Sequence, residues 1–386
     1  MATTELILPE RLERSLLQGH PWVYRDQVPR GFTAASGDWV KLCSGRFQGY
    51  ALWDTEGAIA ARIYSRVHRP DAAWLLQQVR LAWELREPLR KGRSGTDAFR
   101  VIFGEGDGLP GLVVDRYADY YVVLTYAPSV MRLVPWLVSA LMEVAPARGI
   151  VHKKDGALVR LTGELPPARL TVREDGLRFS VSLEAGQKSG LFLDQRDNRR
   201  TVGALARGRR VLNLFAYTGG FSLQAARGGA SQVTSVDISR GALEEAERSF
   251  QQSGLDAAEH EVVAADVFEF LTQAERAGRR FDLVICDPPS FAKSRDQLKQ
   301  ALRAYERVNR LALKVLEPGG LLASASCTSQ VDPASFRAAL AEAASRAKRR
   351  LLVIHEAGHA LDHPIQLGHP EGRYLKFLVA RALPLA

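Results

Sequence analysis

The chain has 386 residues, 46% of them hydrophobic and 25% charged, with a formal net charge of +9. That length accommodates two or three domains, each with a core of its own, and no uninterrupted apolar run approaches the roughly 18 residues of a membrane span. The opening MATTELILPERLERS carries acidic residues and does not read as a signal peptide. Cys43, Cys286 and Cys327 are too few and too scattered for a disulfide framework or a zinc site, so free thiols in a reducing cytoplasm are expected. The basic excess favours a polyanionic partner. It is spread over all three segments divided at Arg66 and Gln187, so nucleic acid would have to bind a folded surface and not a tail.

In chain order, residues 1–66 read as short strands in HPWVYRDQV, GDWVKLCS, FQGYALWD and IAARIYS, rich in aromatic and β-branched residues between turn signals, which predicts a small β-barrel. Residues 67–187 read as an α+β domain. AAWLLQQVRLAWELREPLRK has apolar residues at helical spacing over about 71 to 91, strands follow in FRVIFGEGDGLPGLVVDRY and YYVVLTYA, and a second helix covers roughly Val130 to Val144. The strands GIVHKKD and LTVREDGLRFSVSL complete this domain. GEGDGLPG is expected to be a tight hairpin in which glycine supplies positive φ, with an RNA-facing loop as the alternative.

From 188 to 386 strand and helix patterns alternate, as a doubly wound α/β domain requires. EAGQKSGLFLDQRDNRR, with Gln187, Lys188, Asp194, Gln195, Arg196 and Asn198, has too much directed polarity for a plain linker. It reads as a hairpin and helix start closing over a cofactor. Next, VLNLFAYTGGF runs an apolar strand into the Gly219-Gly220 turn and an apolar helix. A turn without side chains lets a nucleotide-like ligand approach the backbone at a strand's carboxyl end. GxGxxG is absent and no lysine follows the glycines, which excludes the dinucleotide fingerprint and the P-loop. Asp237 ends the next strand in VTSVDIS, Asp266 a third in EVVAAD, and Asp287 a fourth in FDLVICDPPSF. One rim thus presents glycine or aspartate at four consecutive strand ends, and the second suits a ribose diol because a carboxylate accepts two hydroxyl protons.

Cys327, in LLASASCTSQ after an EPGG turn and the strand Leu321 to Ala325, falls on the same rim. A thiol there serves as a nucleophile once its proton is removed, whereas Cys286 lies within an apolar run and reads as core. Pro288 and Pro289 fix an extended loop without N–H donors; with Phe291 beside it, the loop can receive a flipped base. His359, Asp362, His363, His369 and Glu371 crowd one stretch near the C-terminus. Their spacing lacks a second ligand pair, so loop structure or substrate contact is expected there and no metal.

These motifs, GQKSGLFLDQRDNR, VLNLFAYTGGFSL, SVDIS, DVFEFL, FDLVICDPPSFAKS, EPGGLLASASCTSQ and the closing DHP with HPEGRYLKF, resemble the class I S-adenosylmethionine-dependent RNA methyltransferases. More closely, they are similar to the large-subunit (23S) rRNA cytosine-C5 methyltransferases of the RlmI type. The resemblance spans essentially the whole chain. It implies a PUA-like N-terminal barrel, a central α+β domain of EEHEE type and a C-terminal Rossmann-like methyltransferase domain.

Carried over by motif, S-adenosylmethionine would be held by Gln195, Arg196, Asn213, Phe215, Ala216, Tyr217, Gly219, Asp237, Ile238, Ser239, Asp266, Val267 and Asp287. Pro288, Pro289, Phe291 and Lys293 would meet the target base. Cys327 would be the nucleophile and Asp287 its catalytic partner. A second class of RNA cytosine-C5 methyltransferases has a cysteine after the proline of this motif; here Ser290 stands there, which implies a single-cysteine route. The partner implied is 23S rRNA or an assembling large subunit, and a homodimer is among the assemblies the sequence allows. A uracil-C5 methyltransferase, an N-methyltransferase and a non-catalytic rRNA-binding assembly factor are the competing readings.

Overall fold

In a computed structural model of the protein, residues 4–92, 95–184, 186, 190–292 and 294–385 are described. Contacts divide the chain into two compact units. The first comprises Met1–Leu170, Ser182–Gly190 and Leu361–Gly372. Its N-terminal sheet carries, side by side, Thr4–Ile7, Trp39–Ser44, Phe47–Trp53, Ile59–Ser65 and Trp22–Tyr24, around a core that includes Leu6, Val23, Leu42, Phe47 and Trp53. Thr4–Ile7, which has no clear alternation of its own, pairs parallel to Trp39–Ser44.

A second five-stranded sheet follows in the same unit, with Ala157–Gly163, Gly149–Lys154, Tyr120–Thr125, Leu112–Tyr117 and Ala98–Phe103 as neighbours in that order. The helices Ala72–Leu85 and Val134–Val144 contribute Leu75, Val79, Leu137 and Leu141 to its core. Asp71 caps the first helix by accepting from the Trp74 N–H at 2.8 Å. The sequence reading carried that helix to about 91; Arg86 interrupts it, and a short helix Glu87–Arg90 restarts with Pro88 in its first turn. GEGDGLPG is a tight turn, with Glu105 accepting from Trp22 Nε1 at 2.9 Å and from the Gly111 N–H at 3.1 Å. Arg86, fully buried, forks onto Asp107 at 2.6 and 2.7 Å and donates to the Asp362 carbonyl at 2.7 Å.

The second unit comprises Thr171–Val181, Leu191–Ala360 and Arg373–Ala386. Its sheet is built from β1 (Arg210–Leu214), β2 (Gln232–Asp237), β3 (His260–Ala264), β4 (Phe281–Cys286), β5 (Leu316–Ser326), β6 (Arg349–Ala357) and β7 (Lys376–Pro384). Across the sheet the order is β3-β2-β1-β4-β5-β7-β6. β7 is antiparallel to both neighbours, and the pairs from β3 to β5 are parallel. The order reverses between β1 and β4, the switch point outside whose carboxyl ends open α/β sheets bind ligands. β1 is buried on both faces: Leu212 and Leu214 join one core cluster and Val211 another, as a central parallel strand requires.

Two sequence expectations change here. The hairpin Leu170–Glu174 and Leu177–Val181, read with the middle segment, packs instead on the helix Arg240–Gln252. Ser180 N–H donates to Ser249 Oγ at 3.0 Å and Arg178 N–H to Ser253 Oγ at 2.9 Å. The EPGG turn does not precede β5 but lies inside it, where the pairing with β4 skips from Phe281↔Leu316 to Leu283↔Leu321, a bulge made possible by Gly319 at φ 83°. Among the described residues no helix is long and apolar enough to cross a membrane.

Candidate cofactor and catalytic site

The carboxyl end of β1 leads into a turn in which Phe215 and Tyr217 take left-handed φ values of 57° and 48°, followed by Gly219 at 74°. Left-handed backbone costs a non-glycine residue about 1–2 kcal/mol, so the surroundings must hold it. They do: the Ala216 N–H donates to the Val236 carbonyl at 3.0 Å, the Tyr217 N–H to Asp237 Oδ2 at 2.9 Å, and the Gly219 N–H to the Ala216 carbonyl at 2.8 Å. At Gly219 a Cβ would stand 2.7 Å from the Ala246 Cβ, so close helix packing as well as φ demands glycine. Such strain, sustained by a specific hydrogen-bond set at a strand end, is a mark of ligand sites. The Phe192 and Tyr217 rings meet edge to face at 5.2 Å.

Asp237, the last residue of β2, uses one oxygen for Tyr217 and the other for the Ser239 N–H at 2.8 Å. A carboxylate oxygen has a second lone pair, so both remain able to accept a hydroxyl. Ser239 then caps the helix Arg240–Gln252 through the Ala242 N–H. Between them Ile238 is 77% exposed, an apolar side chain on the rim with the character of a platform for a flat ring. Asp266 lies beyond the end of β3 and caps the helix Val267–Arg276, one oxygen accepting from the Phe268 and Glu269 N–H groups at 2.9 and 3.1 Å. The Val267 side chain is buried in the core.

Two further residues expected to hold the cofactor point elsewhere. Asn213 is buried, and its Nδ2 donates to Ser222 Oγ at 2.9 Å in a chain that continues to Ser235 and His260; its side chain braces the helix after the glycine turn. Arg196 is fully buried beside Glu174 at 3.8 Å, where Glu174 also receives the fork of Arg199 at 2.8 and 2.5 Å. Sequence reasoning placed Arg196 over the ligand because a polar run preceded the turn. The hairpin carboxylate that draws it inward lies 22 positions earlier, and nothing local announces it. No cofactor-closing hairpin is formed by the described part of that run: Leu193–Gln195 is a single 3-10 turn leading into the helix Arg196–Leu205. Gln187, Lys188 and Lys293 lie outside the described residues.

The chemistry-bearing residues gather at the ends of β4 and β5. Asp287 follows β4 directly, and Oδ2 accepts from Gln195 Nε2 at 3.0 Å. Gln195 Oε1 in turn accepts from Asn198 at 2.6 Å, so this glutamine orients the carboxylate. Pro288 is buried, Pro289 exposed, and Phe291 packs edge to face on Tyr305 at 4.9 Å. Cys327, half-buried, follows β5 directly. Its neighbour Thr328 ties the two strand ends together: Thr328 Oγ1 shares hydrogen bonds with Ser290 at 3.2 Å and Tyr305 at 2.7 Å.

Burial pushes the Tyr305 hydroxyl up to about 12, with the charges of Cys327 and Asp287 acting in the same direction. Burial also pushes the Cys286 thiol well up, which makes it inert and leaves Cys327 as the thiol of this rim. Glu174, Tyr305, Thr328 and Lys376 were not singled out from sequence. Glu174 and Tyr305 offer no motif, Thr328 is overshadowed by Cys327 within LLASASCTSQ, and Lys376 opens an apolar strand as many lysines do.

The three histidines near the C-terminus all make contacts within the fold. His359 Nε2 accepts from the Leu375 N–H at 3.2 Å, His363 sits 3.1 Å from Asp362, and His369 lies against the Trp22 ring at 4.3 Å. Asp362 is fully buried and accepts from the Arg100 N–H at 2.8 Å. A cavity of about 310 Å³ lined by Glu244, Arg248, Phe250 and His260 shares none of the rim residues.

The S-adenosylmethionine-dependent methyltransferase family matches residues 147–364, and the PUA-like domain matches residues 6–66. The chain is similar to the ribosomal RNA large subunit methyltransferase I of Erwinia tasmaniensis, 36% identical over 99% of this chain and all of that protein. It is equally similar to that of Aeromonas salmonicida, 36% identical over 96% and 97% of the two chains. Among solved structures, a methyltransferase crystallised with SAH superposes with a TM-score of 0.89 at 25% identity, covering 98% of this chain and all of that one. A SAM-dependent methyltransferase from Streptococcus mutans shares the fold with a TM-score of 0.87, 24% identity and coverage of 98% and 100%.

Proposed function

The chain belongs to the family of S-adenosylmethionine-dependent methyltransferases, and from that premise we propose that it methylates C5 of a cytosine in large-subunit (23S) ribosomal RNA in the cytoplasm. S-adenosylmethionine is its cofactor, and the rim fits it. Asp237 keeps an acceptor site on each oxygen, Ile238 offers an exposed apolar surface, and the turn from Phe215 to Gly219 brings backbone close to a ligand. When bound, the cofactor supplies an electrophilic sulfonium methyl.

The observation that carries the cytosine reading is the pairing of Cys327 with Asp287 at adjacent strand ends, joined through Ser290 and Thr328. Cytosine C5 is a poor nucleophile. The Cys327 thiolate adds to C6, forming a C–S bond and sending the ring electron pair to C5, while Asp287 hydrogen-bonds the ring N3 or amino group and favours the adduct. After C5 carries the methyl, its proton goes to a base, the electron pair re-forms the C5–C6 double bond and the thiolate leaves. Ser290 stands where a second thiol would be needed and is engaged with Thr328 and the Ala292 carbonyl, in keeping with a single-cysteine route. Ribosomal RNA is the substrate because the relatives carry that name over essentially the same length.

The test is incubation with labelled S-adenosylmethionine and unmodified 23S rRNA, followed by nucleoside mass spectrometry. 5-Methylcytidine is expected. 5-Methyluridine, an N-methylated nucleoside or cofactor binding without methyl transfer would each replace this reading by the corresponding alternative.

A further inference from the structure

Lys376, the first residue of β7, faces Ser326 across the antiparallel pair, one position before Cys327. It is 6% exposed. Its ammonium donates to the Thr328 carbonyl at 2.6 Å and to the Tyr374 carbonyl at 2.8 Å. The lysine thus grips the chain on both sides of Cys327, by strand pairing before it and by the ammonium after it. An ammonium has three N–H donors, so two carbonyls do not exhaust it. Burying an amine costs several kcal/mol in desolvation, which the two carbonyls and the charges of Cys327 and Asp332 offset here.

We propose that Lys376 is a positioning residue for the thiol: its ammonium, clamped between the Thr328 and Tyr374 carbonyls, fixes the strand end that bears Cys327 and stabilises that cysteine as the thiolate. Lys376 on β7 and Tyr305 on the helix Leu298–Val315 each interact electrostatically with Cys327, while Asp287 after β4 acts on Tyr305 and Asp332 at the cap of the helix Pro333–Arg346 acts on Lys376. Tyr305 is neutral at neutral pH, so of these two neighbours the Lys376 ammonium is the one that favours a thiolate. Burial pushes Lys376 down to about 8, while the charges of Cys327 and Asp332 pull it upward. The ammonium is therefore present at neutral pH and is lost as the pH rises through about 8. The inference rests on the reading of Cys327 as nucleophile, yet its own test reads the thiol directly.

Full-length wild type, K376M and K376R are alkylated with iodoacetamide between pH 6 and 9, the Cys327 peptide is quantified by mass spectrometry, and S-adenosylmethionine binding is measured by calorimetry. K376M is expected to slow Cys327 alkylation at pH 7 by about tenfold and to move its midpoint up by about one pH unit, with cofactor affinity unchanged. K376R, which keeps the charge, returns the midpoint toward that of the wild type. A K376M midpoint equal to the wild type's overturns the proposal, and so does a K376R midpoint equal to that of K376M. Should K376M fail to bind cofactor for want of folding, the wild type decides: a midpoint at or above the ordinary cysteine value of about 8.5 overturns it. C327A separates the two readings. A preserved lysine effect on the thiol with full methylation by C327A sinks the nucleophile alone. An inactive C327A with no lysine effect sinks the role of Lys376 alone.

Discussion

Replacing Asp237 by asparagine tests the cofactor site where its geometry is tightest. Each carboxylate oxygen already accepts a backbone N–H, from Ser239 at 2.8 Å and from Tyr217 at 2.9 Å. Whichever way a carboxamide turns, its NH2 faces one of these N–H groups, so one donor loses its partner and the strained turn at Tyr217 loses support. One ribose acceptor and the negative charge go as well. A hydrogen bond to a charged group is worth about 1.5–3 kcal/mol, which corresponds to a loss in affinity of roughly 10- to 150-fold. An unpaired N–H costs about 1–3 kcal/mol of stability. Titration calorimetry with S-adenosylmethionine, alongside a thermal melt, reads both. Affinity within twofold of the wild type in a folded D237N protein would refute the placement of the ribose on Asp237.

Other consequences follow from buried groups of the same unit. In E174A the two guanidinium groups of Arg196 and Arg199 lose their shared carboxylate; a buried pair broken on one side costs about 3–5 kcal/mol, and urea denaturation should show it, whereas a loss under 1 kcal/mol would mean the hairpin is dispensable. His260 stacks on Phe250 at 3.7 Å, hydrogen-bonds Ser235, and is pushed down to about 4 by burial. A histidine held neutral in the fold binds its proton more readily when unfolded. Its contribution is therefore complete above about 6.5 and lost as pH falls toward 4, at about 1.4 kcal/mol per pH unit. H260F should flatten that part of the stability profile, and an unchanged slope would assign the acid sensitivity to other groups.

The rim was legible because a parallel strand buried on both faces must end at the first residue that wants water or a ligand. Asp237, Asp287 and Cys327 stand at or directly after the ends of β2, β4 and β5, where the apolar runs stop. Asp266 came out one step further, as a helix cap, since a strand end and a helix start are separated by only two residues there. What the sequence could not convey was partnership. Alternation marks Leu170–Glu174 and Leu177–Val181 as strands but is silent on which unit they pack against, and polarity marks Arg196 without indicating that Glu174 would bury it. Lys376 illustrates the same point in the site itself. A lysine opening an apolar strand reads as a solvated edge, and only the antiparallel register with β5 sets it against Ser326 and the Thr328 carbonyl, on either side of Cys327.

Carbon methylation through the Cys327 sulfur stands or falls with C327A, assayed with labelled S-adenosylmethionine and unmodified 23S rRNA. Cofactor affinity is expected to stay within about twofold of the wild type, since a single half-buried thiol adds little to the hold on the cofactor, and no methyl transfer should exceed background. Full 5-methylcytidine formation by C327A would contradict it.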